Sequence, residues 1–245
     1  MEKLSYILLF ATSLLASSFL CPLFIVVGKK FGVVDYAVSD SPKRKKFHKT
    51  PIPLMGGVAI FLSFILSLLL WAPGFASWSL LLSLGSFFIL GLLDDVYNLS
   101  AKLRIVMQFS ICFLFIYNLG IEPFHIKLIP GVDLSLSLWA SYIFGTLILV
   151  GAINSLNMID GLDGLAAGVI FISVFLLSFV HFFITREYAI FLLTLPVIGA
   201  LVGFLRYNVY PARIFLGDGG SNWLGFLCGV LFLLPIGGFS IGGQN

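Results

Sequence analysis

Residues Phe75 to Arg104 read FASWSLLLSLGSFFILGLLDDVYNLSAKLR. The 19 residues Phe75–Leu93 carry no charge, and Asp94 and Asp95 follow at once, with Lys102 and Arg104 just beyond. An apolar run of this length matches the roughly 20 residues a helix needs to cross a bilayer. Seven more such runs occur: Leu4–Val27, Ile52–Trp71, Leu103–Ile121, Leu134–Ile153, Leu165–Ile184, Tyr188–Leu205 and Trp223–Phe239. The 245 residues are 60% hydrophobic and 10% charged, with a mean hydropathy of +1.10. Soluble domains carry about 25% charged residues. The composition excludes a soluble globular enzyme, a disordered chain and a coiled coil. An outer-membrane barrel is excluded as well, because its strands alternate apolar and polar residues. The expected fold is all-α: a polytopic helical membrane protein of about eight spans, forming a single integral-membrane domain over 1–245.

The first run is too long for the ~7–15-residue apolar core of a secretory signal peptide, so it reads as a retained span. The run Leu103–Ile121 is the most polar, holding Arg104, Gln108 and Asn118; Arg104, near its end, can snorkel to the interface. Cys21, Cys112 and Cys228 lie singly in apolar runs without metal-ligand spacing and read as small buried hydrophobes. His181 reads as an interfacial residue, and His125 and Lys127 as part of an exposed polar hairpin. No internal repeat points to a solenoid or an inverted-repeat transporter.

Eight spans put odd-numbered connections on one face. These hold Lys29, Lys30, Lys43, Arg44, Lys45, Lys46, Lys49, Lys102, Arg104, Arg206 and Arg213, which is 11 of the 14 basic residues. The positive-inside rule makes that face cytosolic and sends both ends of the chain outward. Asp35, Asp40, Asp94, Asp95, Asp160, Asp163 and Asp218 fall on the same face, 7 of the 11 acids. Four ionisable loops on one side of a membrane imply one polar site at its surface.

Each loop has its own chemistry. Adjacent carboxylates such as Asp94 and Asp95 repel each other unless a cation joins them or one is protonated. Magnesium suits them, since it takes hard oxygen ligands and shares them with substrate phosphates. In 154–164, Asn154, Asn157, Asp160 and Asp163 recur every three residues. If helical, that spacing keeps them along one drifting face; otherwise it reads as a turn cluster at a helix start. In 206–221, Asp218 stands among Gly217, Gly219 and Gly220 and before Ser221. A glycine-rich turn entering a helix can offer N–H groups to a phosphate, with Asp218 holding a metal on it. In 40–57, the basic run with Lys45, Lys46 and His48 leads into Pro53-x-x-Gly56-Gly57. It serves anionic lipid headgroups, substrate, or both.

Taken in order, these motifs resemble the polyprenyl-phosphate N-acetylhexosamine-1-phosphate transferase family over nearly the whole chain. They are Lys45-Lys46-x-His48 with Pro53-x-x-Gly56-Gly57, Asp94-Asp95 with Asn98-Leu99 and Lys102-x-Arg104, Asn154-x-x-Asn157-x-x-Asp160-Gly161-Leu162-Asp163-Gly164, and Asn208-x-x-Pro211-Ala212 with Gly217-Asp218-x-Gly220-Ser221. The resemblance implies transfer of a sugar 1-phosphate from a UDP-activated amino sugar to a membrane polyprenyl phosphate, undecaprenyl phosphate in bacteria. Magnesium assists, with manganese as the alternative, and UMP is released. The basic-x-His run and Pro-x-x-Gly-Gly are more like the branch that transfers N-acetylglucosamine 1-phosphate to initiate O-antigen, common-antigen or teichoic-acid synthesis. The other branch is the phospho-N-acetylmuramoyl-pentapeptide transferase of peptidoglycan. Family members run longer and carry a late cytosolic loop rich in histidine. The chain is therefore expected to be truncated at its C-terminal side.

On this reading Asp94, Asp95, Asp160 and Asp163 are the expected catalytic residues, and Asp218 and Asp95 the expected metal ligands. Lys45, Lys46, His48, Lys102, Asn154, Asn157, Asn208, Gly217 and Ser221 are the expected substrate contacts. Which of Asp94 and Asp95 accepts a proton and which meets the metal is open at this level. Expected partners are the UDP-N-acetylhexosamine, the polyprenyl phosphate, membrane lipids and a second copy in a homodimer, with no nucleic acid. The expected location is the bacterial plasma membrane, with the site on its cytosolic face. The alternatives from other classes are an ion-coupled transporter and an inactive remnant.

Overall fold

The computed structural model describes residues 2–35, 51–75, 77–129, 132–184 and 190–237. Eight helices account for most of them: α1 (Glu2–Phe31), α2 (Gly56–Trp71), α3 (Trp78–Tyr97), α4 (Ala101–Leu119), α5 (Leu138–Ile159), α6 (Leu165–Ile184), α7 (Ile190–Asn208) and α8 (Asp218–Gly237). Every expected span is present as a helix. Six of them (α1, α3, α4, α5, α6 and α7) are long and apolar enough to cross a membrane, while α2 is a shorter apolar helix of 16 residues. The chain is a multi-pass membrane protein.

Helix ends differ from the limits of the apolar runs. Ile52, expected to open the second span, pairs instead in a short antiparallel ladder, β1 (Val34–Asp35) with β2 (Ile52–Pro53). Helix α2 begins only at Gly56. A second two-stranded ladder, β3 (His125–Ile129) with β4 (Val132–Ser135), bears out the expected hairpin. At the other end, α3 continues through Asp94 and Asp95 to Tyr97, and α5 continues past Ile153 through Asn154 and Asn157 to Ile159. The polar residues are thus the terminal turns of membrane helices rather than loops. Local caps set these limits. The hydroxyls of Ser77, Ser100 and Ser137 accept hydrogen bonds from the N–H of Leu80, Leu103 and Ala140. These satisfy first-turn donors that lack helical partners. Asn98 closes α3 in the left-handed region at φ 50°, a conformation Asn tolerates better than most residues.

Packing is by small residues, as lipid-embedded helices require when water supplies no hydrophobic force between them. Gly199 and Gly203 of α7 lie on α1, where a Cβ would come 2.2 Å from the Ser13 hydroxyl and 2.7 Å from the Leu14 carbonyl. Helix α8 is the centre of the bundle: it packs on α2, α3, α5 and α6, and its residues from Gly219 to Leu231 are all buried. His181, expected at the interface, is buried instead, its Nε2 2.6 Å from the Leu231 carbonyl.

Alternation brings the last turns of α1, α3, α5 and α7 and the first turns of α2, α4, α6 and α8 to one end. Gly28 meets Pro53 there, Asp94 meets Arg104, Asn157 meets Asp218, and Asp163 meets Ala212. The odd-numbered connections therefore do share a face.

Candidate active site

At that end the chain forms a connected polar cluster around the start of α8. Asp94 is 4% exposed. Its Oδ1 accepts from the Leu99 N–H at 2.9 Å, and its Oδ2 from Arg104 Nη1. The same Nη1 stands 3.7 Å from Asp218 Oδ2. The other oxygen of Asp218 accepts from Asn157 Nδ2, which also reaches the Ser221 hydroxyl at 3.0 Å. Asn154, one turn earlier on α5, donates to Gln108 of α4 at 2.7 Å. The chain Asp94, Arg104, Asp218, Asn157, Ser221 thus joins α3, α4, α5 and α8. Asp218 is 32% exposed and is the open end of the cluster.

The second aspartate turns elsewhere. Asp95 accepts from the N–H of Asp218 with Oδ1 and from the N–H of Gly219 with Oδ2, both at 2.9 Å. The N–H groups of Gly220 and Ser221 both donate to the Gly217 carbonyl. All four donors of this first turn are therefore used inside the protein. This corrects the expectation that the turn offers its N–H groups to a phosphate: a carboxylate of the chain already occupies the position that an anion would take.

The repeat from Asn154 to Asp163 is not one helix face. Helix α5 stops at Ile159, with Asp160 as its cap, and the four side chains part company. Asn154 goes to α4 and Asn157 to α8. Asp160 lies against the Gly217 N–H. Asp163 Oδ2 accepts from the Ala212 N–H at 2.8 Å. Asn208, 4% exposed, takes the Gly164 N–H and donates to the Ile214 carbonyl. Asp163 and Asn208 together fasten the 209–216 connection to the start of α6. Lys102 is exposed on the first turn of α4 and makes none of the cluster's contacts. Lys45, Lys46 and His48 lie outside the described residues.

The Pro53-x-x-Gly56-Gly57 motif explains itself as a seat for the same connection. The Phe215 N–H donates to the Pro53 carbonyl, and Gly56 and Gly57 donate to the carbonyls of Phe215 and Leu216. A Cβ on Gly57 would sit 2.2 Å from the Gly220 nitrogen. Two members of the cluster, Arg104 and Gln108, were not among the expected site residues. Their signal is spacing: four apart, they share one face of α4, and polar side chains in an apolar span are costly unless they are used.

Among the described residues the site is crowded with negative charge: Asp94, Asp95, Asp160 and Asp218 stand around the guanidinium of Arg104. Burial, and secondly the charge of Asp218, push the Asp160 carboxyl up from 3.8 to about 7, with the Gly217 N–H opposing. A raised acid favours the folded state most when protonated. In the absence of divalent cations, Asp160 therefore costs stability as pH rises from about 4 through 7. Asp160→Asn should flatten this part of the stability profile and raise the melting temperature at pH 8 by several degrees. A profile with the wild-type slope would exclude this source of the pH dependence.

Residues 77–235, nearly all of the described bundle beyond α2, match the family model for glycosyl transferase family 4. The chain belongs to that family. Its relatives are named for two activities. A probable undecaprenyl-phosphate N-acetylglucosaminyl 1-phosphate transferase of Bacillus subtilis (strain 168) is 35% identical over 230 residues, covering 93% of this chain and 62% of the relative. A phospho-N-acetylmuramoyl-pentapeptide-transferase of Wolbachia pipientis wMel is 33% identical, covering 92% of this chain and 73% of that one. A protein of the same name from Geobacillus sp. (strain WCH70) is 34% identical, covering 87% and 70%. The chain thus spans about three fifths of the length of the Bacillus relative. The family assignment agrees with the resemblance read from the four motifs, and the matched segment contains three of them.

Proposed function

We propose that this chain forms part of a membrane transferase that moves an N-acetylhexosamine 1-phosphate, N-acetylglucosamine 1-phosphate foremost, from its UDP derivative to a polyprenyl phosphate such as undecaprenyl phosphate. The observation that carries this reading is the meeting of four helix ends in one acidic, partly open cluster at the end of a membrane bundle. A lipid phosphate and a water-soluble nucleotide can meet there. An ion-coupled carrier would favour a site near the bilayer midplane, and the cluster lies at the bundle's end. In the cell this step would initiate an envelope polysaccharide.

In the transfer, an oxygen of the polyprenyl phosphate attacks the β-phosphorus of the UDP-sugar. A new P–O bond forms, the bond from that phosphorus to the bridging oxygen breaks, and UMP leaves with the electron pair. The attacking phosphate has a second pKa of about 6, so little help is needed to deprotonate it. On this reading Arg104 faces the diphosphate, and Asn157, which donates to the Asp218 carboxylate, holds that carboxylate across from it; the support is that Arg104 Nη1 stands 3.7 Å from Asp218 Oδ2. Positioning and charge stabilisation are the main needs of phosphoryl transfer.

Magnesium, with manganese as the alternative, fits the donor set. Among the described residues no three His, Cys, Asp or Glu side chains converge to hold an ion by themselves. Magnesium, however, commonly takes one or two carboxylates and completes its shell with substrate phosphates and water. Asp218 and Asp94 would hold it, and it would neutralise the diphosphate. The hard oxygen set argues against a softer metal.

The basic residues Lys29, Lys30, Lys102, Arg104, Arg206 and Arg213 all belong to the end of the bundle that bears the cluster. By the positive-inside rule this end is cytosolic, and the chain's two ends face outward. The test uses vesicles containing the full-length protein, undecaprenyl phosphate and either labelled UDP-N-acetylglucosamine or the labelled UDP-N-acetylmuramoyl-pentapeptide. One UMP per lipid-linked label is expected with the first donor. Label transfer from the second donor alone would move the protein to the peptidoglycan branch. Release of UDP instead of UMP would make it a simple glycosyl transferase.

A further inference from the structure

We infer that Asp95 is a positioning residue: it caps α8 and so fixes the place of Asp218, and the chemistry of the Asp-Asp pair is left to Asp94. The inference rests on the transferase reading of the site. The pair looks symmetrical in sequence, but the two side chains leave α3 about 100° apart and meet different partners. Asp94 faces the guanidinium of Arg104, across which stands Asp218. Asp95 spends both oxygens on consecutive backbone N–H groups of α8. Negative charge is favoured at a helix N-terminus by the helix dipole as well as by these hydrogen bonds.

The backbone around it is cut to fit the carboxylate. A Cβ on Gly217 would come 2.8 Å from Asp95 Oδ2, and Gly217 also has a φ of +73°. A Cβ on Gly219 would come 3.3 Å from the same oxygen and 2.8 Å from the Leu92 side chain. The glycines on both sides of Asp218 therefore make room for Asp95 as well as for the turn. Because the Asp218 N–H is one of the two bonded groups, Asp95 sets the origin of the side chain that forms the open end of the cluster. It acts on the reaction through Asp218.

The test compares Asp95→Asn, Asp95→Ala, Asp94→Asn and Gly219→Ala in the full-length protein. Melting is measured without substrate, and transfer from UDP-N-acetylglucosamine is followed across pH 5–9. Asp95→Asn retains one acceptor oxygen and Asp95→Ala none, so the melting temperatures should fall in the order wild type, Asp95→Asn, Asp95→Ala. Asp95→Asn should lower kcat about 10- to 100-fold, the loss typical of a slightly misplaced group. Its KM for the nucleotide sugar should stay within threefold, and the acid limb of the pH profile should not move. Asp94→Asn should lose far more activity than Asp95→Asn, and its own fall in melting temperature, from the broken Arg104 pair, should not track that loss. Gly219→Ala leaves both carboxylates in place and crowds Asp95 Oδ2 together with the Leu92 side chain beside it, and it should shift activity and melting in the same direction as Asp95→Asn.

An Asp95→Asn protein that melts like wild type and loses as much activity as Asp94→Asn would overturn the inference. So would a shifted acid limb in that variant, or a Gly219→Ala protein indistinguishable from wild type. If wild type itself transfers no sugar phosphate, the transferase reading fails, and the order of melting temperatures still decides whether Asp95 is the cap.

Discussion

Asp218→Asn should reduce sugar-phosphate transfer by at least about 1,000-fold, roughly 4 kcal/mol of transition-state stabilisation, with little change in melting temperature. The substitution keeps the backbone N–H that Asp95 accepts and the first turn of α8. It removes a carboxylate that answers Arg104 on one side and the Asn157 amide on the other. An amide in its place turns either an N–H₂ toward the Asn157 amide or an N–H₂ toward the guanidinium. Either way one contact becomes repulsive, and the negative charge available to a divalent cation is lost. Most of the rate in phosphoryl transfer comes from such placed charges. The assay is single-turnover transfer to undecaprenyl phosphate in vesicles at saturating magnesium, beside a thermal melt. Retention of more than a tenth of wild-type transfer would remove Asp218 from the centre of the site.

Gly91→Ala should be the most damaging of the single-methyl substitutions for folding. A Cβ there would stand 2.1 Å from the Asp218 carbonyl oxygen and 2.6 Å from the Gly219 nitrogen. These are backbone atoms, so no rotamer change relieves the overlap, and α3 and α8 must part by on the order of 1 Å. Overpacking of this kind costs about 1–3 kcal/mol or more. The same displacement draws Asp95 from its cap and Asp218 from its partners, and a 1 Å misplacement alone can cost about 100-fold in rate. Gly85 is the internal control: it lies on the same helix, and a Cβ there would meet nothing within 4 Å. Gly85→Ala should be neutral, or stabilising by up to about 1 kcal/mol from helix propensity. Equal melting temperatures and activities for the two variants would show that the close approach of α3 and α8 does not govern the site.

What could be read from the sequence follows from what each signal measures. Long apolar runs report membrane spans because the bilayer fixes their length, so every helix from α1 to α8 was legible. Their ends were not, since Asp94, Asp95, Asn154 and Asn157 look like loop residues until they are seen on terminal turns. The Ile52–Pro53 strand escaped notice because a two-residue ladder leaves no periodicity to detect. Convergence on one face was legible from charge asymmetry, whereas pairing within it was not. Arg104 between Asp94 and Asp218, and Gln108 beneath Asn154, depend on the rotation of α4 about its axis. Adjacent carboxylates such as Asp94 and Asp95 carry no mark of which one faces a cation and which one faces a helix end.

The central position of α8 bears on how the protein is made. It is the last of the described helices to leave the ribosome, yet α2, α3 and α5 all present glycines or polar ends to it. Until it arrives, Asp95 lacks the N–H groups it caps and Asn157 lacks its carboxylate partner. Of the earlier helices, α1 and α3 to α7 are each long and apolar enough to enter the bilayer, but without α8 they enclose no finished site. Completion of the cluster is thus tied to the arrival of α8: until it packs, Asp95 and Asn157 stand without the partners that they have in the folded bundle.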